Sequence, residues 1–267
     1  MKKKLTVRNL RSMKNNGEKI VMLTAYDATI AKFAEKTNVD IILVGDSAGN
    51  AVMGFDSTIP VTMDMMVHHC SMVRRGAQNT FIVGDMPFLS CQIGIDKAVA
   101  NAGRLIQDAQ CDCVKIEGAE HTELINILVN SGIPVMGHLG LLPQRVKAEG
   151  GFFVAGRNEE IAQKLINDAK KLVEAGVCAI VLECVVDEVA KLVTESVEVP
   201  IIGIGAGVNC DGQVQVVNDI LGLDEDFLPK HAKRYANLAS SINDAMTNYV
   251  SDVKEQKFPT AENTFTK

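Results

Sequence analysis

The chain has 267 residues, of which 47% are apolar and 22% charged, and its formal net charge is −6. This composition excludes an intrinsically disordered chain, and the net negative charge excludes a basic surface for nucleic acid or an anionic membrane. No stretch approaches the roughly 20 consecutive apolar residues that a membrane helix requires. The expected partners are therefore small molecules, with neither nucleic acid nor a membrane among them.

The N-terminus begins with Met1-Lys2-Lys3-Lys4, as a signal peptide does, but the apolar segment that such a peptide requires does not follow. The seven cysteines include no Cys-x-x-Cys pair, which favours free thiols over a metal site or a disulfide framework. Both features predict a cytoplasmic protein.

Short runs rich in Val and Ile alternate with segments of helical periodicity from residue 19 onward, a pattern typical of repeated βα units. The predicted strands are Lys19–Ala25, Asp40–Gly45, Thr80–Gly84, Cys113–Ile116, Pro134–Gly137, Ala179–Leu182, Pro200–Ile204 and Gln213–Val217. The clearest predicted helices between them are Ala28–Thr37, Ile95–Gln110, Glu159–Glu174 and Val186–Ser196. Eight such units predict an α/β chain folded as a (βα)8 TIM barrel.

We expect residues 1–267 to form a single barrel domain. It would have an N-terminal extension of about residues 1–18 and a C-terminal helix plus tail of about residues 231–267. Two connections that follow strands, Gly45–Thr62 and Gly137–Arg157, are longer than a barrel needs. Ligands bind at the loops after the strands of such barrels, so both long loops are interpreted as active-site lids.

A polar residue repeatedly stands at the carboxyl end of a predicted strand. These residues are Asp46, Asp85, Lys115, Glu117, His138 and Glu183. Any one of them could be a helix cap, but a barrel brings all of these strand ends together. Asp46, Asp85 and Glu117 offer hard oxygen ligands, which suit Mg²⁺ better than zinc and leave positions open for a 2-oxo acid.

The remaining polar residues suggest roles in acid–base chemistry. Lys115 would pair with the carboxylates or an anionic substrate, although a purely structural ion pair is the alternative. Glu183, between Leu182 and Cys184, is placed to act as a base toward a carbon acid. His138 is open to three readings: a hydrogen-bond donor to the substrate, a metal ligand or a structural histidine.

Two further motifs are weaker signals. The glycine-rich Gly203–Gly207 with Asp211 resembles an anion-binding turn, but it lacks the spacing of a dinucleotide or triphosphate motif. His68-His69 lies on a predicted helix and is interpreted as an ordinary surface or packing pair.

Nine separated segments, in order along almost the whole chain, resemble the ketopantoate hydroxymethyltransferase family. They are MLTAYDATIAKFAE, ILVGDSAGN, GFDSTIPVTMDMM, VGDMPF, VKIEG, PVMGHLGLLPQ, VLECV, PIIGIGAG with DGQVQV, and KFPTAENTF. The resemblance implies a (βα)8 barrel that transfers a hydroxymethyl group from 5,10-methylenetetrahydrofolate to 3-methyl-2-oxobutanoate. The product, 2-dehydropantoate, leads to pantothenate and coenzyme A.

The resemblance also implies residue roles. Asp46 and Asp85 match direct Mg²⁺ ligands, and Glu117 matches the third acid of the metal site. Ser47, together with Asp46, Asp85, Lys115 and His138, would contact the 2-oxo acid, and Glu183 matches the general base. Removal of the C3 proton would form an enolate stabilised by Mg²⁺. Members of the family assemble as homodecamers.

Two other functional classes remain as alternatives. A Mg²⁺-dependent 2-oxo acid aldolase or lyase would use the same acids without folate. A non-catalytic binding barrel is the third reading, but it would have no use for Lys115 and Glu183 in its interior.

Overall fold

The computed structural model describes residues 4–267 of the chain. Met1–Lys3, the first residues of the expected N-terminal extension, lie outside the described residues. From Lys4 onward the extension contains one helix, α1 (Val7–Asn15), which begins after a capping box formed by Thr6 and Asn9.

Eight parallel strands close into a barrel in sequence order, and the last strand pairs with the first. The strands are β1 (Ile20–Thr24), β2 (Ile41–Val44), β3 (Phe81–Asp85), β4 (Cys113–Glu117), β5 (Val135–Gly140), β6 (Ala179–Glu183), β7 (Ile201–Ile204) and β8 (Gly212–Gln215). The predicted TIM barrel is confirmed, with strand ends that differ by up to a few residues. The largest extension is at β5, because its pairing with β6 continues to Gly140 opposite Glu183.

Helices follow most of the strands. They are α2 (Ala28–Lys36), α3 (Ala48–Ala51), α4 (Met63–Gly76), α5 (Ile95–Gln107), α6 (Thr122–Asn130), α7 (Val146–Glu149), α8 (Glu159–Ala175), α9 (Asp187–Ser196), α10 (Val217–Leu221) and α11 (Leu238–Lys254). The helices predicted after β1, β3, β5 and β6 are all present. Capping side chains determine where several of them begin; Asp27, for example, accepts hydrogen bonds from the Thr29 and Ile30 amides at the start of α2.

The predicted start of the last helix, about His231, is wrong, because α11 begins only at Leu238. The Tyr235 amide donates to the Ile220 carbonyl at 2.8 Å, so it is not available for a bond one helical turn back. Arg234 also donates to the backbone carbonyls of Asp224 and Phe227. These bonds hold the segment before α11 in a non-helical path.

The chain divides into two compact units, residues 1–216 with the barrel and residues 217–267 with α10, α11 and the tail. The expected single domain of 1–267 stays a prediction. In the second unit, α11 carries a row of exposed apolar side chains. They are Leu238, Ile242, Met246, Tyr249, Val250 and Val253.

Alternate strand residues point into the barrel, and those nearest the amino ends of the strands are apolar. Phe81 and Val83 of β3, with Met136 of β5 and Val181 of β6, belong to this inner cluster. Leu10 of α1 joins it and is fully buried. Helix α1 therefore packs against the amino ends of the strands, where Lys14 also pairs with Asp211 at 2.8 Å.

We expect Leu10→Ala to lower the free energy of unfolding by about 2–5 kcal/mol, because it leaves a cavity beside the inner cluster. Urea unfolding followed by circular dichroism measures the change. Leu192→Ala is the matched control, since Leu192 is 51% exposed and loses little packing. Equal losses in the two variants would contradict the packing of α1 against the barrel.

Candidate functional site

Alternate residues of each strand face into the barrel as far as its carboxyl end. Near that end the inward-facing residues change from apolar to charged. On β3 the inner residues Phe81 and Val83 are followed by Asp85, and on β4 Cys113 is followed by Lys115 and Glu117. Parallel pairing places Asp85 beside Lys115, and Glu117 beside His138 of β5. Strand period and register therefore bring these predicted residues together inside one end of the barrel.

Lys115 lies at the centre of this cluster. Its Nζ is 2.9 Å from Asp85 Oδ1, 3.2 Å from His138 Nδ1 and 3.9 Å from Glu117 Oε1. Burial by itself lowers the pKa of Lys115, but the negative charges of Asp85, Glu117 and Asp46 outweigh it and raise the pKa above its ordinary value. The surrounding carboxylates therefore favour the charged form of Lys115.

The carboxylates outnumber this cation. Asp46 follows β2, and its amide donates to Asp85 Oδ2 at 3.1 Å. Burial, together with neighbouring negative charge, raises the pKa of both Asp46 and Asp85. Burial also raises the pKa of Glu117, but hydrogen bonding to His138 and the charge of Lys115 outweigh it and lower the pKa. The raised pKa of Asp46 and Asp85 reflects burial first, and a second cation beside them would stabilise their charged forms.

Two buried carboxylates at the carboxyl ends of neighbouring strands fit the usual binding mode of Mg²⁺, which takes one or two carboxylates and completes its shell with water and substrate. Asp46 and Asp85 meet this requirement. Within residues 4–267, however, no group of three His, Cys, Asp or Glu side chains is arranged so that it could hold a metal ion. Glu117 is instead directed to His138 and Gln144. The ligand set of Asp46, Asp85 and Glu117 stays a prediction.

His138 connects the cluster to Glu183. Its Nδ1 faces Lys115, and its Nε2 is 3.3 Å from Glu183 Oε2. Burial and the charge of Lys115 lower the pKa of His138, but hydrogen bonding to Glu117 and Glu183 outweighs them and raises it. The Glu183 side chain is 17% exposed, against 5% or less for Lys115 and Glu117, so its carboxylate lies nearer to solvent.

Two polar residues of the site were missed by sequence reasoning. Gln144, in the long loop after β5, donates from Nε2 to Asp46 Oδ2 at 2.8 Å and to the Met86 carbonyl at 3.0 Å. Its amide donates to Glu117 Oε2 at 3.2 Å. Tyr26, after β1, has its hydroxyl 2.8 Å from the Ser47 hydroxyl. The signal for Gln144 was its place in a loop already expected to cover the site.

The family model of ketopantoate hydroxymethyltransferase matches residues 4–261. The chain belongs to this family. The 3-methyl-2-oxobutanoate hydroxymethyltransferase of Desulfotalea psychrophila is 53% identical to it, over 98% of this chain and 94% of that protein. The enzyme of the same name from Carboxydothermus hydrogenoformans is 51% identical, over 98% of this chain and 96% of that protein. The chain is thus an enzyme, a hydroxymethyltransferase.

Solved structures support the barrel architecture of this ketopantoate hydroxymethyltransferase family member. A crystal structure of 2,3-dimethylmalate lyase, of the PEP mutase/isocitrate lyase superfamily, matches with a TM-score of 0.61 over 98% of this chain and 92% of that chain. The sequence identity is 15%, so this likeness shows the fold alone.

Other sequence motifs lie outside the cluster. Asp211 pairs with Lys14 and accepts a hydrogen bond from the Ile201 amide, so it lies at the amino ends of the strands. His69 Nδ1 is 2.6 Å from the Tyr26 carbonyl, a packing role for this helical residue. Within the described part of the chain, no helix is long and apolar enough to cross a membrane.

Proposed function

We propose that the chain transfers a hydroxymethyl group from 5,10-methylenetetrahydrofolate to 3-methyl-2-oxobutanoate, forming 2-dehydropantoate for pantothenate and coenzyme A synthesis. The observation that carries this proposal is a buried Lys115 surrounded by carboxylates, with Glu183 nearer to solvent at the same barrel end. Such a site offers a cation to the substrate's carboxylate and a base to its C3 proton. The relatives at about half identity carry the corresponding enzyme name.

Asp46 and Asp85 would hold Mg²⁺, with Glu117 as the third acid of the metal site. When bound, the ion would supply a Lewis acid that polarises the 2-oxo group of the substrate. Gln144, which donates to Asp46, would keep that carboxylate in place. The oxygen-donor chemistry of these two buried, neighbouring carboxylates supports the assignment.

The substrate would be oriented by Ser47, Lys115 and His138. Lys115 keeps its positive charge in a buried setting, where an ionic contact to the substrate's carboxylate is stronger than in water. The Ser47 hydroxyl is held by Tyr26 and can donate to the same group or to the 2-oxo oxygen. His138, buried between Lys115 and Glu183, would fix the position of the base.

Glu183 would act as the general base. It takes the proton from C3, and the electrons of the broken C–H bond form the enolate of the oxo acid. The C3 carbon then attacks the methylene carbon of the folate while one of its two C–N bonds breaks, and that nitrogen takes the proton held by Glu183. Water then attacks the same carbon and the second C–N bond breaks, so that the new hydroxyl keeps one proton of the water, the second nitrogen takes the other, and tetrahydrofolate leaves.

Release of tetrahydrofolate that depends on 3-methyl-2-oxobutanoate tests this function directly. The expected result is formation of 2-dehydropantoate only when protein, oxo acid, methylenetetrahydrofolate and Mg²⁺ are all present. A 2-oxo acid aldolase would instead consume free formaldehyde equally well without folate. If 2-dehydropantoate forms at equal rates with and without folate, the protein is this aldolase and not the proposed transferase.

Gly140 provides a geometric test of the Glu183 assignment. It has a φ of +92°, and a Cβ there would lie 2.1 Å from the Glu183 carbonyl oxygen. Gly140→Ala must therefore displace the end of β6, and we expect turnover to fall by up to about 100-fold. Gly132→Ala is the matched control, because Gly132 also has a positive φ, +85°, but nothing lies within 4 Å of its added Cβ. Equal turnover in the two variants would contradict the prediction.

The homodecamer implied by the family resemblance is also proposed for this chain. The exposed apolar row on α11 supports self-association, because a row of this kind is usually covered by a partner. A cytoplasmic location is proposed as well, supported by the seven cysteines, which lie within the described residues and form no disulfide there.

We expect Met246→Glu to reduce the assembled mass measured by light scattering, because Met246 is 63% exposed within the apolar row. Thr247→Glu is the matched control, since it places the same charge about 100° further around the same exposed helix. Unchanged mass in Met246→Glu, at concentrations where the parent chain is assembled, would exclude this face from the interface.

A further inference from the structure

We propose that a cavity beside the carboxylate cluster binds the pterin ring of the folate substrate. This inference rests on the proposed function and adds a binding site to it. The cavity has a volume of about 300 Å³ and lies between the loops that follow β3, β4 and β5. Its lining residues are Phe88, Leu89, Gln92, Glu117, Glu120, His121, Gln144, Arg145 and Ala148.

The position of the cavity fits a second substrate. It shares Glu117 and Gln144 with the cluster, while the described residues that line it do not include Lys115 or Glu183. The oxo acid and the cavity's occupant would therefore bind side by side without competing. A one-carbon donor must meet this requirement, since its methylene carbon has to reach C3 of the bound oxo acid.

The walls of the cavity suit a flat heterocycle. Its apolar lining residues are Phe88, Leu89 and Ala148. Leu89 is 49% exposed and has a φ of +64°, an uncommon conformation for a leucine, which holds its side chain at the cavity. An apolar wall of this kind would pack against the face of an aromatic ring.

The same cavity carries hydrogen-bonding groups that match a 2-amino-4-oxopyrimidine ring. Such a ring presents two adjacent N–H donors, which one carboxylate can accept together, and a neighbouring carbonyl that a guanidinium can donate to. Glu120 and Arg145 supply these two groups, and Gln92 and His121 lie beside them, 3.3 Å apart.

Glu120 and Arg145 are available for this role. They form an ion pair with each other, and both side chains are 50% exposed. An exposed ion pair contributes little to stability, so a ligand can replace it at low cost. Arg145 also has Glu149 Oε1 3.9 Å from its Nε, which keeps a negative charge beside the guanidinium when Glu120 turns to a ligand.

Two other surface cavities fit the donor less well. One lies between α2 and α4 and is lined by residues such as Lys32, Phe33 and Arg75. The other lies on the face of α8, beside Lys164 and Asp168. The residues that line them include none of the cluster's acids, so a group bound there would not border the oxo acid.

The test compares Glu120→Gln with the parent enzyme in two assays. We expect the KM for methylenetetrahydrofolate to rise by roughly ten-fold or more, the usual effect of losing a charge-assisted hydrogen bond. Equilibrium dialysis of tetrahydrofolate should show a matching loss of binding. Deuterium exchange at C3 of 3-methyl-2-oxobutanoate, measured without folate, should stay within about two-fold of the parent rate.

Glu149→Gln is the matched control, because Glu149 also faces Arg145 but does not line the cavity. It should leave the folate KM unchanged. Ala148→Phe is the second variant; it fills the cavity and should raise the folate KM while C3 exchange continues, which also shows that the protein is folded.

The outcomes separate this inference from the proposed function. If neither Glu120→Gln nor Ala148→Phe changes folate KM or tetrahydrofolate binding, the cavity is not the pterin site. If the parent enzyme exchanges the C3 proton but never releases tetrahydrofolate, the transferase function fails instead. A rise in folate KM in Glu149→Gln equal to that in Glu120→Gln would also overturn the assignment, because charge around Arg145 would then explain both.

Discussion

Glu183→Gln is expected to slow deuterium exchange at C3 of 3-methyl-2-oxobutanoate by about two to four orders of magnitude, the usual contribution of a positioned general base. Glutamine keeps the size of the side chain but cannot take the proton. It keeps an oxygen that can face His138, whose Nε2 lies 3.3 Å from Glu183 Oε2. The substitution therefore removes basicity with little change in packing.

The matched control is Glu188→Gln on α9, an exposed acid five residues further along the chain. It should exchange and turn over at the parent rate. Nuclear magnetic resonance of the oxo acid in D₂O measures exchange without folate, so the result does not depend on the second substrate. Exchange by Glu183→Gln at the parent rate would assign the base to another group.

Asp85→Asn is expected to reduce Mg²⁺ affinity by about 100-fold or more, because it removes a proposed metal ligand. Removing a residue that is only hydrogen-bonded to a metal ligand typically lowers metal affinity by about ten- to hundred-fold. Asp85 is buried and lies next to Asp46, whose amide donates to it. Asparagine preserves the shape of the side chain but removes one of the two charges that would hold the ion. Turnover should fall with metal affinity.

Metal affinity is best measured by titrating chelator-treated protein with Mn²⁺ and following the free ion by electron paramagnetic resonance. This readout does not require activity. Asp108→Asn, at the exposed end of α5, removes the same charge away from the cluster and should bind Mn²⁺ as the parent does. Parent-like Mn²⁺ affinity in Asp85→Asn, or full recovery of activity when Mg²⁺ is returned, would remove Asp85 from the metal site.

The barrel could be predicted from the sequence because its strands are buried on both sides and therefore appear as continuous apolar runs. Ile41–Val44 and Ala179–Glu183 illustrate this, since four or more consecutive residues of each are buried or nearly so. The helix before the tail was predicted about seven residues too long. Residues 231–237 contain no glycine or proline that would end a helix, so the sequence pattern allows one there. Hydrogen bonds to the α10 region hold this segment in a non-helical path instead.

The charged residues of the site could also be predicted, since each follows an apolar run at a strand end. Their convergence needs only the barrel topology and the two-residue period of a strand. Lys115 and Glu117 point inward for the same reason that Cys113 does. The sequence by itself therefore determined the fold, the family resemblance and the set of acids, lysine and histidine at one barrel end.

Only the tertiary structure decided how these groups are paired. Lys115 contacts Asp85 and His138 because the register places their strands side by side, and no linear spacing contains that register. Gln144 reaches Asp46 across 98 residues because the loop after β5 folds back over the barrel end. The cavity beside Glu117 likewise exists only where three loops meet. Local propensity determines strands and helices, whereas contacts between distant loops depend on the path of the whole chain.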